Sequence, residues 1–592
     1  MATEGRAGGG RWIIAPPQPS QVLTPEQMSD EHRLIARTVR AFLAQEVAPL
    51  DARLEAKDLP LMREVLTRLG ALGVFAAEVP PEYGGLGPDP VTGVLLAETI
   101  SRGSLSSSVG AHVTIGMLPI VFFGAHSQRT RYLPRMVTGE LIGAYALTEA
   151  TAGSDALSLR TSAAQDPDGS YRLTGSKQFI TNGGIADVYI LYAKVDGKLT
   201  CFIVDRATPG FTVGPEEHKL GLRGSSTTSL FLDNVRVPRE NVIGEPGRGH
   251  VIALNILNVG RLKLGAGCVG AAKHALRDAV AYARERRQFG RPIASFGLIR
   301  QKVARMAIRL YLAESMVYRT AGLLDRALGG LDLTGDRGGS DAARAIEEYA
   351  PECAINKVYG SEMLDFVVDE MVQIYGGYGF IEDYPAARAY RDARINRLYE
   401  GTNEINRLVI AGQALRRAAR GRLPLLDAAK SAAEGLGRAG GGSDAPASDR
   451  LARARTVTLA CLGRAVDRLG PDLEEHQEVL AAMSDQMIEL FAAESGVLRA
   501  EMGAGAGAGS SSGGGGLMAD LALAAAGEMA GRLRTLAIEV LTAVEDGPQL
   551  ARDLAGIGGL LEETPSNMLV LRRSIAERVL EGGGYPLGLP AA

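Results

Sequence analysis

Cysteine is scarce in this chain of 592 residues: Cys201, Cys268, Cys353 and Cys461 stand far apart, with no Cys-x-x-Cys pair and no Cys/His pair at ligand spacing. That spacing argues against both a disulfide framework and a structural zinc site, and fits a reducing compartment. Charge of one sign is also lacking. Lys plus Arg number 64 and Asp plus Glu 68, a net charge of −4, so no overall basic field points to nucleic acid or an anionic membrane. No apolar run is long enough to span a bilayer: the least polar stretch, Val113 to Ala125, is interrupted by Pro119 and Gly124 and reads as a buried core helix. The first 20 residues have neither the apolar core of a secretory signal nor the Arg/Ser pattern of an organelle presequence. Residues 1–28 read as a flexible arm, and the lack of such signals points to a bacterial cytoplasm. A fixed-period repeat and a glycine-rich nicotinamide fingerprint are missing too.

What is present is an ordinary globular composition, 46% apolar and 22% charged, with an excess of glycine (74 residues) that collects in the last third. The spacing of apolar residues divides the chain. Residues 29–140 carry helical patterns such as EHRLIARTVRAFLAQEV and VTGVLLAETISR. Residues 141–245 shorten into β-branched and aromatic runs, YRLTGSKQFIT, DVYILYAKV, LTCFIVDR and TSLFLDNVRV, separated by DPDG and by the hairpin candidate VDGK. Long helical patterns return over 246–420 and read as a bundle. Beyond them, 421–450 reads as a linker and 451–592 as Ala-rich helices around a disordered Gly/Ser loop at 503–516. The predicted fold is therefore mainly α with a central β domain.

Three clusters carry chemistry. AYALTEATAGSDALS (Ala144 to Ser158) offers small residues, hydroxyls and amides to a polar ligand; KQFITNGGIAD (Lys177 to Asp187) is a strand entering a polar turn; YEGTNEINRLVIAGQAL (Tyr399 to Leu415) places a carboxylate before Gly and Thr at a helix mouth. Read singly, each is also an ordinary loop or helix cap.

Read together and in order, LTEATAGSD, FITNGG, KLGLRGSSTTSLFLDNVRVPRENVIGE, RERRQFG, QIYGGYGF and RLYEGTNEI resemble the acyl-CoA dehydrogenase family across roughly residues 30–420. The GAH..IG segment at Gly110 to Gly116, NVGR at Asn258 to Arg261 and the long C-terminal tail are most similar to its very-long-chain branch. The resemblance implies an N-terminal helical domain, a middle β-barrel-like domain and a C-terminal helix bundle, extended here by an extra helical domain. It also implies bound FAD, which supplies redox chemistry to a chain without metal ligands.

Carried onto this sequence, the resemblance assigns Tyr145, Leu147, Thr148, Gly153 and Ser154 to the flavin lining, and Phe179, Ile180 and Thr181 to the cover of its ring. Many relatives have Trp where Phe179 stands. Arg286, Gln288, Phe296 and Gly297 match contacts to the FAD of a neighbouring subunit, and Gln373, Ile374, Tyr375, Gly376, Gly377, Thr402, Asn403 and Glu404 match the remaining cofactor contacts. A shared site implies a homodimer. Glu400 matches the catalytic base, and Gly260 stands where other branches carry theirs. Ser154, Asn258, Arg261 and Gly401 match the CoA thioester positions, with a helix-face salt bridge as the rival role for Arg261. Ser107, Gly110 and Ala111 are small where medium-chain relatives close the pocket floor, which points to a deep channel.

The implied activity is dehydrogenation of long-chain acyl-CoA to trans-2-enoyl-CoA in fatty-acid β-oxidation, with electrons passed to electron-transfer flavoprotein. An oxidase using O₂ and a scaffold factor that keeps the fold are the alternatives. No metal is expected. The tail is expected to pack on the body; Arg453, Arg464 and Arg468 offer the alternative of a basic face on a membrane.

Overall fold

A computed structural model describes residues 8–87, 89–333, 335, 337–436, 447–506, 514–561 and 567–588. The N-terminal domain includes α1 (Asp30–Phe42), α2 (Leu59–Ala71), α3 (Pro90–Thr99), α4 (Gly103–Gly110) and α5 (His126–Val137); single-turn segments are left unnumbered. Side chains fix the helix starts. Ser29 accepts from His32 N–H at the head of α1, and Asp89 accepts from Val91 and Thr92 N–H at the head of α3, satisfying donors that a helix leaves unpaired.

Eight strands follow: β1 (Gly143–Ala146), β2 (Ser162–Gln165), β3 (Tyr171–Thr181), β4 (Val188–Val195), β5 (Lys198–Asp205), β6 (Phe211–Glu216), β7 (Thr227–Val237) and β8 (Val242–Ile243). Their order is β6-β7-β3-β2-β4-β5-β8, with β1 added parallel to β4. The VDGK signal is a tight turn between β4 and β5. Asp196 and Gly197 both take positive φ, 47° and 77°, the pair a two-residue hairpin turn of this hand requires.

The bundle includes α6 (Gly249–Glu285), α7 (Gly297–Leu328), α8 (Ala350–Tyr375), α9 (Pro385–Ala393) and α10 (Asn403–Ala419), with an unnumbered helix, Gly338–Glu347, between α7 and α8. Close approach explains why α6 tolerates so many glycines. A side chain at Gly270 would lie 2.0 Å from the Glu98 carbonyl, and one at Gly265 2.9 Å from that of Asn356, so α6 packs backbone to backbone on α3 and α8. Gly103–Phe123 and Gly249–Glu285 are apolar and long enough to cross a membrane by composition, yet they are mostly inside the protein.

The tail consists of α11 (Leu425–Gly435), α12 (Ala447–Leu469), α13 (Gln477–Ala506), α14 (Gly514–Val544), α15 (Gly547–Leu561) and α16 (Met568–Glu581). One hydrophobic core runs from the bundle into these helices, including Leu462, Phe491, Leu521 and Val579. Burial of this kind is what Ala-rich helices need to persist. Arg464 is turned inward onto Asp553 at 2.7 Å, so the three arginines do not present a common basic face.

Three expectations from composition are corrected. Residues 8–28 of the supposed flexible arm are docked: Trp12 is 5% exposed, its Nε1–H donates to Glu352 at 3.0 Å, its ring lies 4.8 Å from that of Phe491, and Arg455 donates to its carbonyl. Glu26 pairs with the buried Arg499, which also pairs with Glu314, itself bound by Lys273 and the Tyr585 hydroxyl. Long-range contacts with the bundle and tail order the segment. Within the supposed linker, Leu425–Gly435 is helical and packs under α12; residues 437–446 lie outside the described set. Of the supposed Gly/Ser loop, 503–506 continue α13 and 514–516 open α14, while 507–513 lie outside the described set.

Candidate active site

Glu400 stands in the short link between α9 and α10, with φ 57°, and Gly401 follows with φ 79°. A non-glycine residue in this region is strained and persists only where its surroundings hold it. They do so here through the backbone. The Glu400 carbonyl accepts from Arg261 Nε at 3.2 Å and Asn406 Nδ2 at 3.3 Å; that of Gly401 accepts from Lys357 Nζ at 2.7 Å and Asn406 Nδ2 at 2.8 Å. Thr402 caps α10 by accepting from Ile405 N–H. The Glu400 N–H donates no hydrogen bond among the described residues and is left for a ligand.

The carboxyl has little to stabilise its charge. Glu400 Oε2 is sealed from solvent and has no hydrogen-bond partner. Burial pushes its pKa up to about 7, with Arg261 and Lys357 pulling the other way. It faces Gly260 on α6: a side-chain carbon there would sit 2.7 Å from Oε2. Burial lowers Lys357 to about 8, against the pull of Cys268 and Glu400.

A cavity of about 510 Å³ opens beside this carboxyl, between α3, α4, α6 and α9. Leu96, Ala97, Val109, Ala111, Leu264, Cys268 and Met371 give it apolar walls, interrupted by the buried ion pair of Lys263 with Glu78. Ser107, Gly110 and Ala111 all line it. A side-chain carbon added to Gly110 would meet nothing within 4 Å. Asn258 and Arg261 are buried one turn apart, joined by a 2.9 Å hydrogen bond from Arg261 Nη1 to Asn258 Oδ1. Arg261 thus takes the Glu400 carbonyl rather than a helix-face salt bridge.

The residues expected at the flavin divide into two sets. In the first, a bulge in β3 between Lys177 and Ile180 puts Phe179 at φ 58° and leaves it 59% exposed. Such an irregularity re-aims a side chain. Phe179 turns out of the sheet, Ile180 joins its core and so offers only backbone, and Thr181 stays paired with Thr227 while its half-buried side chain lines the cavity. Tyr145 and Leu147 are buried, Thr148 half-buried, and Gly153 and Ser154 exposed. Glu149 pins this loop, accepting from Lys177 Nζ at 2.7 Å and Thr161 N–H at 3.0 Å.

The second set lies at the other end of α6. Arg286, Gln288 and Gly297 are exposed, and Arg286 lies over the Tyr378 ring at 5.3 Å, which brings it beside exposed Gln373, Gly376 and Gly377. Phe296 is half-buried under Arg291. Ile374 and Tyr375 turn inward, Tyr375 stacking on Tyr282 at 4.1 Å. Glu404 is exposed, whereas Asn403 is occupied by Lys357, Ser361 and Glu362. An exposed aromatic in a strained bulge and an uncovered arginine beside glycines fit a flat ring and a phosphate respectively, so the residues present suit FAD. Among the described residues no group of His, Cys, Asp and Glu is placed to hold a metal.

Family models for the N-terminal, middle and C-terminal domains of acyl-CoA dehydrogenase match residues 29–140, 144–235 and 247–415, and a further acyl-CoA dehydrogenase C-terminal model matches 453–557. The chain belongs to the acyl-CoA dehydrogenase family. It is 43% identical over 585 residues to a probable acyl-CoA dehydrogenase of Bacillus subtilis (strain 168), covering 98% of both chains. It is similar to the crystal structure of an acyl-CoA dehydrogenase complexed with FAD from Bacillus anthracis, with a TM-score of 0.95 and 43% identity over 98% of this chain and 100% of that one. Human mitochondrial very long-chain specific acyl-CoA dehydrogenase is 37% identical over 412 residues, 66% of this chain and 60% of that protein. This acyl-CoA dehydrogenase is an FAD-dependent oxidoreductase with the extra helical domain at its C-terminus.

Lys357 and Asn406, the two side chains that hold the Glu400–Gly401 backbone besides Arg261, were not foreseen. A lysine on an otherwise apolar helix face was the one available signal for the first, and the repeated Asn of TNEIN for the second.

Proposed function

We propose that this acyl-CoA dehydrogenase takes long-chain acyl-CoA in fatty-acid β-oxidation, uses Glu400 as its base and passes electrons to electron-transfer flavoprotein. The observation that carries this reading is the Glu400 carboxyl, unpaired and sealed at Oε2, beside a cavity of about 510 Å³ with largely apolar walls. A carboxylate with its pKa near 7 is matched to proton removal at neutral pH. The free Glu400 N–H supports the thioester carbonyl as negative charge develops on it, as an oxyanion hole does. Arg261, Asn406 and Lys357 hold that N–H and carboxyl in place at no cost of reorganisation during the reaction. Bound beside Phe179 and Thr181, FAD would supply the acceptor for the β-hydride, so that loss of the α-proton to Glu400 and of that hydride together would leave trans-2-enoyl-CoA.

Phe179 and Thr181, with Tyr145, Leu147, Thr148, Gly153 and Ser154, are assigned to the flavin face. Ser154, Asn258, Arg261 and Gly401 are assigned to the CoA thioester. Gly260 and Arg286 are separated by 26 residues of α6 and its end, about 39 Å at 1.5 Å per residue. That separation supports a homodimer in which Arg286, Gln288, Phe296, Gly297 and the Gln373–Gly377 segment serve the partner's FAD.

The test is anaerobic addition of palmitoyl-CoA to the FAD-loaded protein. Bleaching of the flavin followed by faster reoxidation with electron-transfer flavoprotein than with O₂ supports the reading. Preference for O₂ makes the protein an oxidase, and failure to bleach with intact FAD removes the proposed activity.

A further inference from the structure

One face of α6 lines the cavity without interruption. Gly260, Leu264, Gly267, Ala271, His274 and Asp278 recur at three- and four-residue spacing, a single helix stripe. Fourteen residues separate Gly260, beside the Glu400 carboxyl, from His274, about 21 Å along the helix. One leaflet of a bilayer's hydrocarbon core, about 30 Å thick in all, measures about 15 Å. Bilayer chains are melted and shortened; drawn out straight, and with the His274 side chain leaning back toward the N-terminus of α6, a C16 chain held by its thioester end at Glu400 comes into the neighbourhood of His274.

At that end the lining changes character. Ser101 and His274 both line the cavity region, and their Oγ and Nδ1 atoms are sealed from solvent with no hydrogen-bond partner among the described residues; Ser101 is 7% exposed and His274 half-buried. Hydrocarbon satisfies neither group, and a buried polar atom left unpaired is costly. Arg102 lines the same end and is itself exposed. Burial, then the charges of Arg277, Arg102, Lys273 and Arg40, hold His274 neutral with a pKa of about 3, so the strongest charges acting on the ring are all cationic. The nearby acids are engaged or peripheral. Glu98 and Glu314 pair with Lys273, Asp278 lies 3.4 Å from Arg277, Asp51, Glu55 and Asp392 surround Arg388, and Glu382 and Asp383 are exposed at the rim.

We propose that this end of the cavity is a subsite for an anionic chain terminus, the ω-carboxylate of a long-chain dicarboxylic acyl-CoA, which accepts hydrogen bonds from Ser101 Oγ and His274 Nδ1 and faces Arg102. A methyl terminus leaves both donors unpaired; a carboxylate pairs both and meets the cationic field. This assignment rests on the acyl-CoA dehydrogenase reading above, since it places the thioester at Glu400.

The test measures equilibrium binding of hexadecanedioyl-CoA and palmitoyl-CoA to the FAD-loaded Glu400→Gln protein, in which no turnover intervenes. The diacid is expected to bind at least as tightly as palmitoyl-CoA. His274→Leu is expected to shift the ratio of the two dissociation constants at least 10-fold against the diacid, and Ser101→Ala, a smaller change that preserves packing, to shift it several-fold the same way. Diacid binding 10-fold or more weaker than palmitoyl-CoA, or a ratio unmoved in both variants, overturns the subsite. If wild-type protein dehydrogenates palmitoyl-CoA while the diacid is refused, the subsite alone fails. If neither ligand binds, the dehydrogenase reading fails with it.

Discussion

A methyl group on Gly260 would lie 2.7 Å from Oε2 of Glu400, closer than real side-chain carbons pack, and 3.1 Å from its Cδ. The position of the Glu400 carboxyl, the proposed base on the α9–α10 link, therefore depends on the absence of a side chain on α6. Gly260→Ala is expected to keep FAD but slow flavin reduction at least 10-fold, because displacing a catalytic group by about 1 Å can cost about 10²-fold. Stopped-flow bleaching with palmitoyl-CoA, normalised to bound FAD, measures it; an unchanged rate would mean that this contact does not position the base.

Glu400→Gln removes the proton acceptor while keeping its shape. FAD content and acyl-CoA binding should persist, and turnover should fall by about 10² to 10⁴-fold or more, the usual range for positioned acid–base catalysis. Near-normal turnover would take the base away from Glu400.

The raised carboxyl sets a pH dependence. With its pKa near 7, Glu400 is in its proton-accepting form above that pH, so kcat/KM should rise through about pH 7 toward a plateau. For stability the sign is reversed. The folded carboxyl keeps its proton to a higher pH than its ordinary 4.5, so between about pH 4.5 and 7 the folded state binds more protons and this group's stabilising contribution declines as pH rises. Thermal midpoints of wild type and Glu400→Gln across that window should converge at its acidic end and separate toward neutrality.

Ala111 is 4% exposed in the cavity wall, next to the open space at Gly110. Ala111→Glu should shift preference from C16 toward C8 to C10 acyl chains, since each excluded methylene forgoes about 0.8 kcal/mol of burial. A chain-length profile that does not move would place the channel elsewhere.

Trp12 is the single tryptophan, so its fluorescence reports on the docked N-terminal segment alone. Phe491→Ala, which removes the neighbouring ring, should redden the emission and raise acrylamide quenching. Trp12→Ala should cost about 3–5 kcal/mol, as large aromatic truncations in cores do, and strands the buried Glu352 without one of its donors. A thermal midpoint equal to wild type would show that docking contributes little.

Local pattern made much of this legible. The hairpin at Asp196–Gly197 and the helical spacing of α6 are properties of neighbouring residues, and Glu400 and Gly260 could be placed because their motifs are short and contiguous. The N-terminal segment could not be read this way. Its glycines resemble a flexible arm until Gly10 N–H and Trp12 Nε1–H find one carboxylate, that of Glu352, more than 300 residues later. Leu425–Gly435 was hidden for the same reason, since its burial comes from α12. Lys357 acts through a backbone carbonyl, which no side-chain motif records. The polar end of the cavity needed the third dimension, because Ser101 and His274 come to line one cavity only where α6 packs against the end of α3.

The pairing of Glu26 with Arg499 also orders events in time. The two residues are 473 positions apart, and at about 5–20 residues/s a ribosome takes roughly 25 to 95 s to make the second after the first. For most of that interval the N-terminal segment has no Arg455, Phe491 or Arg499 to dock on, while the domain of α1 to α5 is complete early in it. Trp12 and Glu26 are thus made long before some of the residues that fasten them, and helices α12 and α13 close over them.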